Sequence, residues 1–455
     1  MSLLSQIGYS GVRATQVALT ATGQNVANVN TPGFSRLGVE MGSLSGHTAL
    51  SSGRGVQVNN IRRIADDFVN RQLWRATSSE SFTESQQKYV SALETLMASE
   101  GSNISGGLDN FYAALSEATS TPDSIALRQQ ILNEARNLAQ RVNSLSNNIE
   151  TQLNGLRGQR EAIVVELNGL TDNLATLNKR ITHVEASNGD AKALRDQRDK
   201  LVQDLAELAD VRVMEAADGS FSVSLANGQP LVAGPTAATV KLTTLANNHQ
   251  DFSLEFAGTQ FPLSRDVWGG QLGGLYEAEY NSLRAGQQTI SQIAGHLATS
   301  FNTALAAGFD LNGTAGQPLF TYDASSISQV LTVNDLQPAD LALSSAATEK
   351  GNNDNLLALI GLKSASVVVD GATTTLNDAY ATLLGKVASL SRQGQADVET
   401  ATSVLNQAQA QRDSISAVNL DEEGVNLMNY QQAYQANLKV ITTAGALFDS
   451  VLGMF

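Results

Sequence analysis

The chain lacks cysteine and is poor in histidine, proline and tryptophan. Its 455 residues include no Cys, 4 His, 7 Pro and 2 Trp. Without cysteine there are no disulfides, thiolate nucleophiles or zinc–thiolate sites. The four histidines, His47, His183, His249 and His296, stand in separate parts of the sequence without a metal-binding spacing. We therefore expect no metal site and no cofactor.

The sequence also has no basic run and no long apolar run. Its 29 basic and 44 acidic residues give a net charge of -15, whereas nucleic-acid-binding proteins need a basic face. No segment approaches the roughly 20 apolar residues of a membrane-spanning helix. Residues 1–20 have neither a basic leader nor a continuous apolar block. We expect no nucleic-acid partner, no membrane insertion and no cleaved signal peptide.

Recognisable catalytic motifs are missing as well. The sequence has no Gly-x-Ser-x-Gly elbow, no phosphate-binding loop and no dinucleotide fingerprint. Asp421, Glu422 and Glu423 follow Asn419 and fit the start of a helix better than an acid–base pair. Arg195 and Arg198, which alternate with acidic residues, predict a solvated helical face with local ion pairs. We expect no catalytic site and no enzymatic activity.

Both ends of the chain carry a helical stripe. Small residues recur with helical spacing near the start, at Ile7, Gly11, Ala14, Ala18, Ala21, Asn25 and Asn28. Larger residues recur near the end, and with the neighbouring Tyr430 we call them the C-terminal seam: Leu427, Gln431, Tyr434, Leu438, Ile441, Gly445, Phe448 and Leu452. The two stripes can interdigitate, so we expect the two ends to pack together. Whether they serve assembly or only an ordinary intramolecular core stays open at this point.

Helical periodicity dominates the rest of the chain, with one clear interruption. Apolar residues recur every seven positions from Val142 to Val184, which predicts a helix of about 60 residues. From residue 211 to 265 the period changes to two, and Asp218-Gly219 and Asn227-Gly228 are typical hairpin turns. The predicted fold class is mainly α with a β insertion: a long antiparallel helical bundle or coiled-coil rod, built from the N- and C-terminal parts, plus a small antiparallel β outer domain.

We predict four regions from this order of elements. Residues 1–60 and 417–455 form a terminal helical core. This core is the inner tube and includes an extended arm or loose hairpin. A long-helix rod domain combines 61–210, 266–313 and 351–416. Residues 211–265 form the β-rich outer domain, and 314–350 form an irregular or β segment whose domain is not assigned.

A twelve-residue motif at the end of the first helix, residues 25–36, resembles the N-terminal signature of bacterial flagellar rod, hook and hook-associated proteins. Its candidate assembly residues are Asn25, Ala27, Asn28, Asn30, Thr31, Pro32, Gly33, Phe34, Ser35 and Arg36. The segments 419–423, 430–436, 194–199 and 308–313 are similar, within that group, to the hook-associated protein 1 family. Two features favour this family: rod and hook proteins are largely β outside their ends, and flagellins lack the Asn-Thr-Pro-Gly motif.

The resemblance implies a structural protein of the extracellular flagellum rather than an enzyme. Such a protein is exported through the flagellar type III route and polymerises as a helical tube at the distal end of the hook. Its partners would be further copies of itself, the hook protein, the next junction protein toward the filament, and an export chaperone on the C-terminal helix. The C-terminal seam is the candidate surface for both subunit packing and chaperone binding.

Two other functions remain as alternatives. The chain could be another axial subunit of rod or hook type, which shares the N-terminal signature. It could also be a secreted coiled-coil adhesin that binds through residues 211–265. In members of the resembling family the β outer domains are often larger than the segments available here.

Overall fold

The computed structural model describes residues 3–45, 53–245 and 248–454, with only the backbone at Asp266. Residues 46–52 of the predicted arm, with His47, lie outside the described residues. The chain forms two compact units. The first comprises Met1–Glu80, Val165–Gly270 and Ala401–Phe455, and the second comprises Ser81–Val164 and Gln271–Thr400. The predicted long-helix region thus contributes to both units, and the four-region division stays a prediction.

Helices make up most of both units. The described part of the chain contains these α-helices: α1 Leu3–Ala27, α2 Asp67–Ala98, α3 Ile104–Glu117, α4 Ile125–Ala186, α5 Lys192–Leu208, α6 Gly270–Glu277, α7 Arg284–Ala306, α8 Asp354–Gly361, α9 Leu376–Ser416 and α10 Leu420–Leu452. A π-helical segment, Ala278–Leu283, joins α6 to α7. The mainly helical fold class and the helix of 62 residues at α4 confirm the periodicity analysis.

The heptad stripe of α4 is buried along most of its length. Val142, Ile149, Leu156 and Leu167 are at most 1% exposed. One charged residue, Arg160, interrupts this apolar stripe. It is fully buried and forms an ion pair with Glu279 in the second unit. The guanidinium also lies 4.0 Å from the centre of the Tyr276 ring. The charge is stabilised in the core because both a carboxylate and an aromatic face surround it.

The region predicted as a β insertion folds into two small antiparallel sheets in the first unit. One has the order β3-β4-β5-β6, with β3 Val211–Glu215, β4 Phe221–Leu225, β5 Pro230–Ala233 and β6 Thr236–Ala237. The other has the order β7-β8-β9, with β7 Thr239–Thr244, β8 Gln250–Phe256 and β9 Thr259–Leu263. Gly219 and Gly228 have positive φ, as the predicted hairpin turns require.

Three two-stranded hairpins complete the described structure. The first pairs Leu37–Leu44 with Gly55–Arg63 and confirms the hairpin form of the predicted arm; we number these strands β1 and β2. In the second unit, β10 Phe320–Tyr322 pairs with β11 Leu331–Val333, and β12 Val367–Val369 pairs with β13 Ala372–Thr374. The β12–β13 hairpin was not predicted, because three-residue strands are too short for a periodic signal.

The two terminal helices pack together in an antiparallel sense, as predicted. The buried face of α1 consists of small or polar residues: Gly8, Gly11, Ala14, Thr15, Ala18, Ala21, Thr22 and Asn25. Gly8 and Gly11 face Ile441 and Asn437, while Asn25 at the other end of α1 contacts Glu423. A methyl group added at Gly8 would lie 2.8 Å from Ile441 Cγ1 and 3.2 Å from the Asn437 carbonyl oxygen. The glycines therefore permit the close approach of the two helices.

The stripe of α10 that faces α1 differs from the one predicted. Glu423 and Ala444 are the buried residues of α10, and Asn437 lies against Gly11. In contrast, Leu427, Leu438, Phe448 and Leu452 of the C-terminal seam are between 41% and 58% exposed. The expectation that this seam interdigitates with α1 was therefore wrong for these four residues. The glycines of α1 instead face Asn437, Val440 and Ile441, of which Ile441 belongs to the predicted seam, so the contact stripe is rotated around α10 from the predicted one.

We predict that Gly8→Ala weakens the pairing of α1 with α10, whereas Gly23→Ala on the same helix does not. The added methyl group at Gly8 would meet Ile441, and overpacking costs about 1–3 kcal/mol. At Gly23 nothing lies within 4 Å, so alanine should stabilise the helix by up to about 1 kcal/mol. Hydrogen exchange of the full chain should be faster in α1 and α10 for the Gly8 variant. Equal exchange in the two variants would contradict this account of the packing.

Candidate assembly surface

The signature motif forms a tight turn directly after α1. The Phe34 N–H donates to the Thr31 carbonyl at 3.2 Å, and Gly33 has a φ of +80°. Pro32 and Gly33 are thus the central residues of a type II turn, as the sequence predicted. The Thr31 N–H also donates to the Asn28 carbonyl at 2.9 Å, so the chain reverses within a few residues of the end of the helix.

Asn25 connects three elements through its amide group. The Leu37 N–H donates to Asn25 Oδ1 at 2.8 Å, and Asn25 Nδ2 donates to the Leu37 carbonyl at 3.0 Å. Nδ2 also donates to Glu423 Oε1 at 3.0 Å. Asn25 is 1% exposed, and an unpaired polar group at such depth is costly. This side chain therefore fixes α1 to the start of β1 and to the first turn of α10.

The second half of the signature is tied to the rest of the first unit. The Arg36 side chain donates to the Glu422 carboxylate at 2.9 Å, and the Arg36 backbone N–H donates to the Ser416 carbonyl at 2.8 Å. Arg412 donates to the Phe34 carbonyl at 3.1 Å. The turn is consequently held against the end of α9 and the start of α10.

The predicted start of α10 is confirmed, but Glu422 has a different role. Asn419 Oδ1 accepts hydrogen bonds from the N–H groups of Asp421 at 2.9 Å and Glu422 at 3.4 Å. In a capping box the Glu422 carboxylate would accept from the Asn419 N–H. It instead pairs with Arg36, because the signature turn brings a guanidinium within reach.

Four signature residues face outward. Ala27, Asn30, Thr31 and Pro32 are exposed. Beside them lies a groove of about 860 Å³ in the first unit, with apolar and charged lining residues that include Pro32, Phe34, Leu177, Arg180, Lys200 and Leu201. The signature is therefore divided between residues that hold the turn inside the chain and residues that present it at the surface.

A charged network on α5 anchors the hairpin arm. Arg63, at the end of β2, pairs with Asp196 at 2.6 Å and with Asp199, which also accepts from Asn70 at 3.3 Å. Asp196 receives a further bond from the Ser35 N–H at 3.4 Å. Burial raises the pKa of the Asp196 carboxyl, although Arg63 opposes the shift. Burial also acts to lower the pKa of Arg63, but Asp199 and Asp196 outweigh it and the pKa rises.

The arginines of the same helix hold the β insertion. Arg198 is 1% exposed, donates to the Gly219 carbonyl at 2.6 Å and lies 3.2 Å from the centre of the Phe221 ring. Its burial lowers the pKa of the guanidinium. Arg195 pairs with Glu185 and Glu215, each at 2.8 Å.

The prediction of a solvated face for these arginines was wrong. Arg198 is almost fully buried against the β insertion, and Arg195 is only partly exposed. Their partners Glu185, Glu215 and Gly219 lie on other elements, which the spacing along α5 does not reveal.

The C-terminal seam forms a partly exposed apolar stripe on α10. Gln431 is exposed, while Tyr430, Tyr434 and Ile441 are half-buried. Together with the exposed leucines and Phe448, they leave an apolar surface that the single chain does not cover. Exposed apolar patches of this kind are typical of surfaces that contact other proteins.

The described residues contain neither a candidate metal site nor a candidate membrane span. In 3–45, 53–245 and 248–454, no three His, Asp or Glu side chains are grouped so that they could hold a metal ion. Over the same ranges, every helix is too short or too polar to cross a membrane.

Comparison with known proteins gives two family matches. Residues 90–320, about half of the chain, match the model of the flagellar hook-associated protein FlgK helical domain. Residues 409–454 match the model of the flagellar basal body rod FlgEFG protein C-terminal region.

Full-length relatives and a solved structure agree with these matches. The chain is 26% identical over 559 residues to flagellar hook-associated protein 1 of Salmonella typhimurium, with 100% of both chains covered. It is 25% identical over 484 residues to the Bacillus subtilis protein of that name, covering 96% of this chain and 95% of the relative. The flagellar hook junction protein FlgK from Burkholderia pseudomallei has the same fold, with a TM-score of 0.70 at 16% identity over 76% of this chain and 100% of that chain.

We predict that Asn25→Asp disrupts the junction of α1, β1 and α10, whereas Asn28→Asp does not. Aspartate at position 25 would lose both Nδ2 donors and place a second carboxylate beside Glu423, at a cost of about 3–5 kcal/mol. The partly exposed edge of the turn holds Asn28, whose Nδ2 donates only to the Gln24 carbonyl at the end of α1 and whose Oδ1 accepts from Thr31, a bond that aspartate keeps. Thermal unfolding should report the difference. Equal unfolding of the two variants would refute the assigned role of Asn25.

Proposed function

This chain belongs to the family of flagellar hook-associated protein FlgK, and we propose that it is a structural subunit of the hook-filament junction. In this proposal it polymerises at the distal end of the hook and presents the surface on which the filament assembles. The observation that carries the proposal is the antiparallel pairing of α1 with α10 beside an uncovered apolar seam. A protein built to act alone would bury such a stripe.

The C-terminal seam supports assembly with further copies. Leu427, Leu438, Phe448 and Leu452 would be covered by neighbouring subunits in a helical tube. Burying apolar side chains contributes about 25 cal/mol per Å² of covered surface, so a continuous stripe on a helix of 33 residues is a substantial driving force. The hook protein on one side and the next junction protein on the other are the proposed axial neighbours.

The same seam is the proposed binding site of an export chaperone. Amphipathic helices bind apolar grooves through residues spaced by three and four positions, and the seam has this spacing. Chaperone binding and subunit packing would then exclude each other. Export through the flagellar type III route would place the protein in the extracellular axis of the flagellum.

A second candidate is an axial subunit of rod type, because residues 409–454 match a rod-protein C-terminal model. The match over residues 90–320 favours the junction, since that helical domain is described for FlgK. We propose no catalytic role, because the family is one of structural flagellar proteins.

Deletion of the gene tests the junction role directly. We expect hooks without filaments by electron microscopy, with flagellin lost to the culture medium, because the filament has no surface on which to assemble. Restoration by the wild-type chain is the control. Intact filaments would contradict the proposal, and loss of the hook itself would support the rod-type alternative.

We predict that Leu438→Asp weakens both chaperone binding and junction assembly. The change places an unpaired charge on the seam, where contact with a partner would desolvate it. Ala436→Asp is the matched control, because Ala436 is also exposed on α10 but lies away from the seam. Calorimetry with the purified chaperone and filament counts in complemented cells are the two measurements. Normal chaperone affinity together with normal assembly in the Leu438 variant would contradict the dual use of the seam.

A further inference from the structure

The first turns of α2 carry an exposed patch that combines an aromatic ring with two cations. Phe68 is 67% exposed, and Arg71, Gln72 and Arg75 follow it at the spacing of one helix face. These four residues line a surface cavity of about 320 Å³. We call them the α2 patch.

The two arginines of the α2 patch are unpaired within the described residues. Neither Arg71 nor Arg75 forms an ion pair or a side-chain hydrogen bond with any described residue. By contrast, Arg62 pairs with Glu40, and Arg63 pairs with Asp196. Another face of α2 contributes to the hydrophobic core, where Leu73 and Ala76 pack against Ala408. The α2 patch therefore serves no contact within the described chain.

The start of α10 offers a complementary surface. Leu420, Val425 and Met428 are between 52% and 56% exposed, and the exposed Asp421 lies among them without an ion pair in the described residues. Gly424 stands at the centre of this face, and nothing lies within 4 Å of where its side chain would begin. Helical glycine costs about 1 kcal/mol relative to alanine, and it permits an aromatic ring to approach the helix backbone. We call these five residues the α10 patch.

We propose that the α2 patch of one copy docks on the α10 patch of a second copy. Phe68 would pack over Gly424 between the apolar side chains, and Arg71 or Arg75 would pair with Asp421. Charge complementarity and apolar complementarity both favour a second copy as the occupant. The ion pair would be strengthened because the neighbouring aromatic and apolar side chains exclude water from it. The inference rests on the proposed function, because it requires that copies of the chain assemble.

The two patches differ, and this difference determines the kind of assembly. A contact between unlike surfaces is heterologous, so each copy keeps one free patch of each kind. Repetition of such a contact produces a ring or an open helix rather than a closed two-fold dimer. The patches therefore suit a tubular array of subunits.

The cysteine-free chain permits a direct crosslinking test. Phe68→Cys combined with Val425→Cys should yield dimers and higher multimers when intact hook-filament junctions are isolated and oxidised. The matched control combines Phe68→Cys with Val165→Cys, because Val165 is 73% exposed on α4 but belongs to neither patch. We expect at least a tenfold excess of multimers in the first variant. Junctions that support filaments but give no multimers would overturn the docking proposal and leave the junction role intact.

A charge exchange tests the pairing independently. Arg71→Glu with Arg75→Glu should reduce the fraction of filamented cells at least tenfold, and Asp421→Arg should also reduce it. Combining all three changes should restore a substantial part of that fraction, because the charges are again complementary. Circular dichroism of the purified variants verifies that the chain folds, since all three side chains are exposed. Normal filaments in the double variant, or no recovery in the folded triple variant, would overturn the proposal.

Discussion

The fold depends on one recurring interaction, in which an asparagine side chain pairs with both backbone groups of a single strand residue. In each case the strand residue donates its N–H to the amide oxygen and accepts from the amide nitrogen at its carbonyl. Within the described residues, five such pairs occur: Asn25 with Leu37, Asn143 with Leu331, Asn168 with Val240, Asn178 with Phe221 and Asn302 with Phe320. The backbone N–H and C=O groups at the edge of a strand need hydrogen-bond partners. A carboxamide provides them, because it has the same donor and acceptor as a peptide bond. Short strands are thereby attached to helices without a wide sheet.

Charged residues on α5 add a second kind of attachment within the first unit. Asp196 and Asp199 hold the end of β2, and Arg198 holds the turn before β4. A single helix of 17 residues thus connects the hairpin arm with the β insertion. Because these charges are largely buried, each of them is stabilised only while its partner is in place. The network therefore specifies a geometry more than it adds net stability.

Sequence periodicity predicted the longer helices and strands but not the contacts between them. The small-residue stripe of α1, the heptads of α4 and the alternation at Phe221, Val223 and Leu225 each predict the observed element, since burial imposes its period on the sequence. The face of α10 that contacts α1 was not predictable, because apolar residues also occur where a surface faces other molecules. Buried Arg160 and Arg198 were missed for a related reason: their partners are distant in sequence, and spacing carries no information about them. Of the candidate site, the turn and the helix cap followed from local chemistry alone.

Glu423 and Ala444 are the residues of α10 that become buried within the chain, although the helix has 33 residues. A helix with so little intramolecular burial is stabilised mainly by contacts with other molecules. The folded fraction of the helix therefore depends, by mass action, on the concentration of the molecule that binds it. In the assembly proposed above, an isolated copy would have little of this stabilisation, whereas a growing end that already displays subunits would supply it. The sparse burial of the last helix would then act as a nucleation barrier that confines growth to a template.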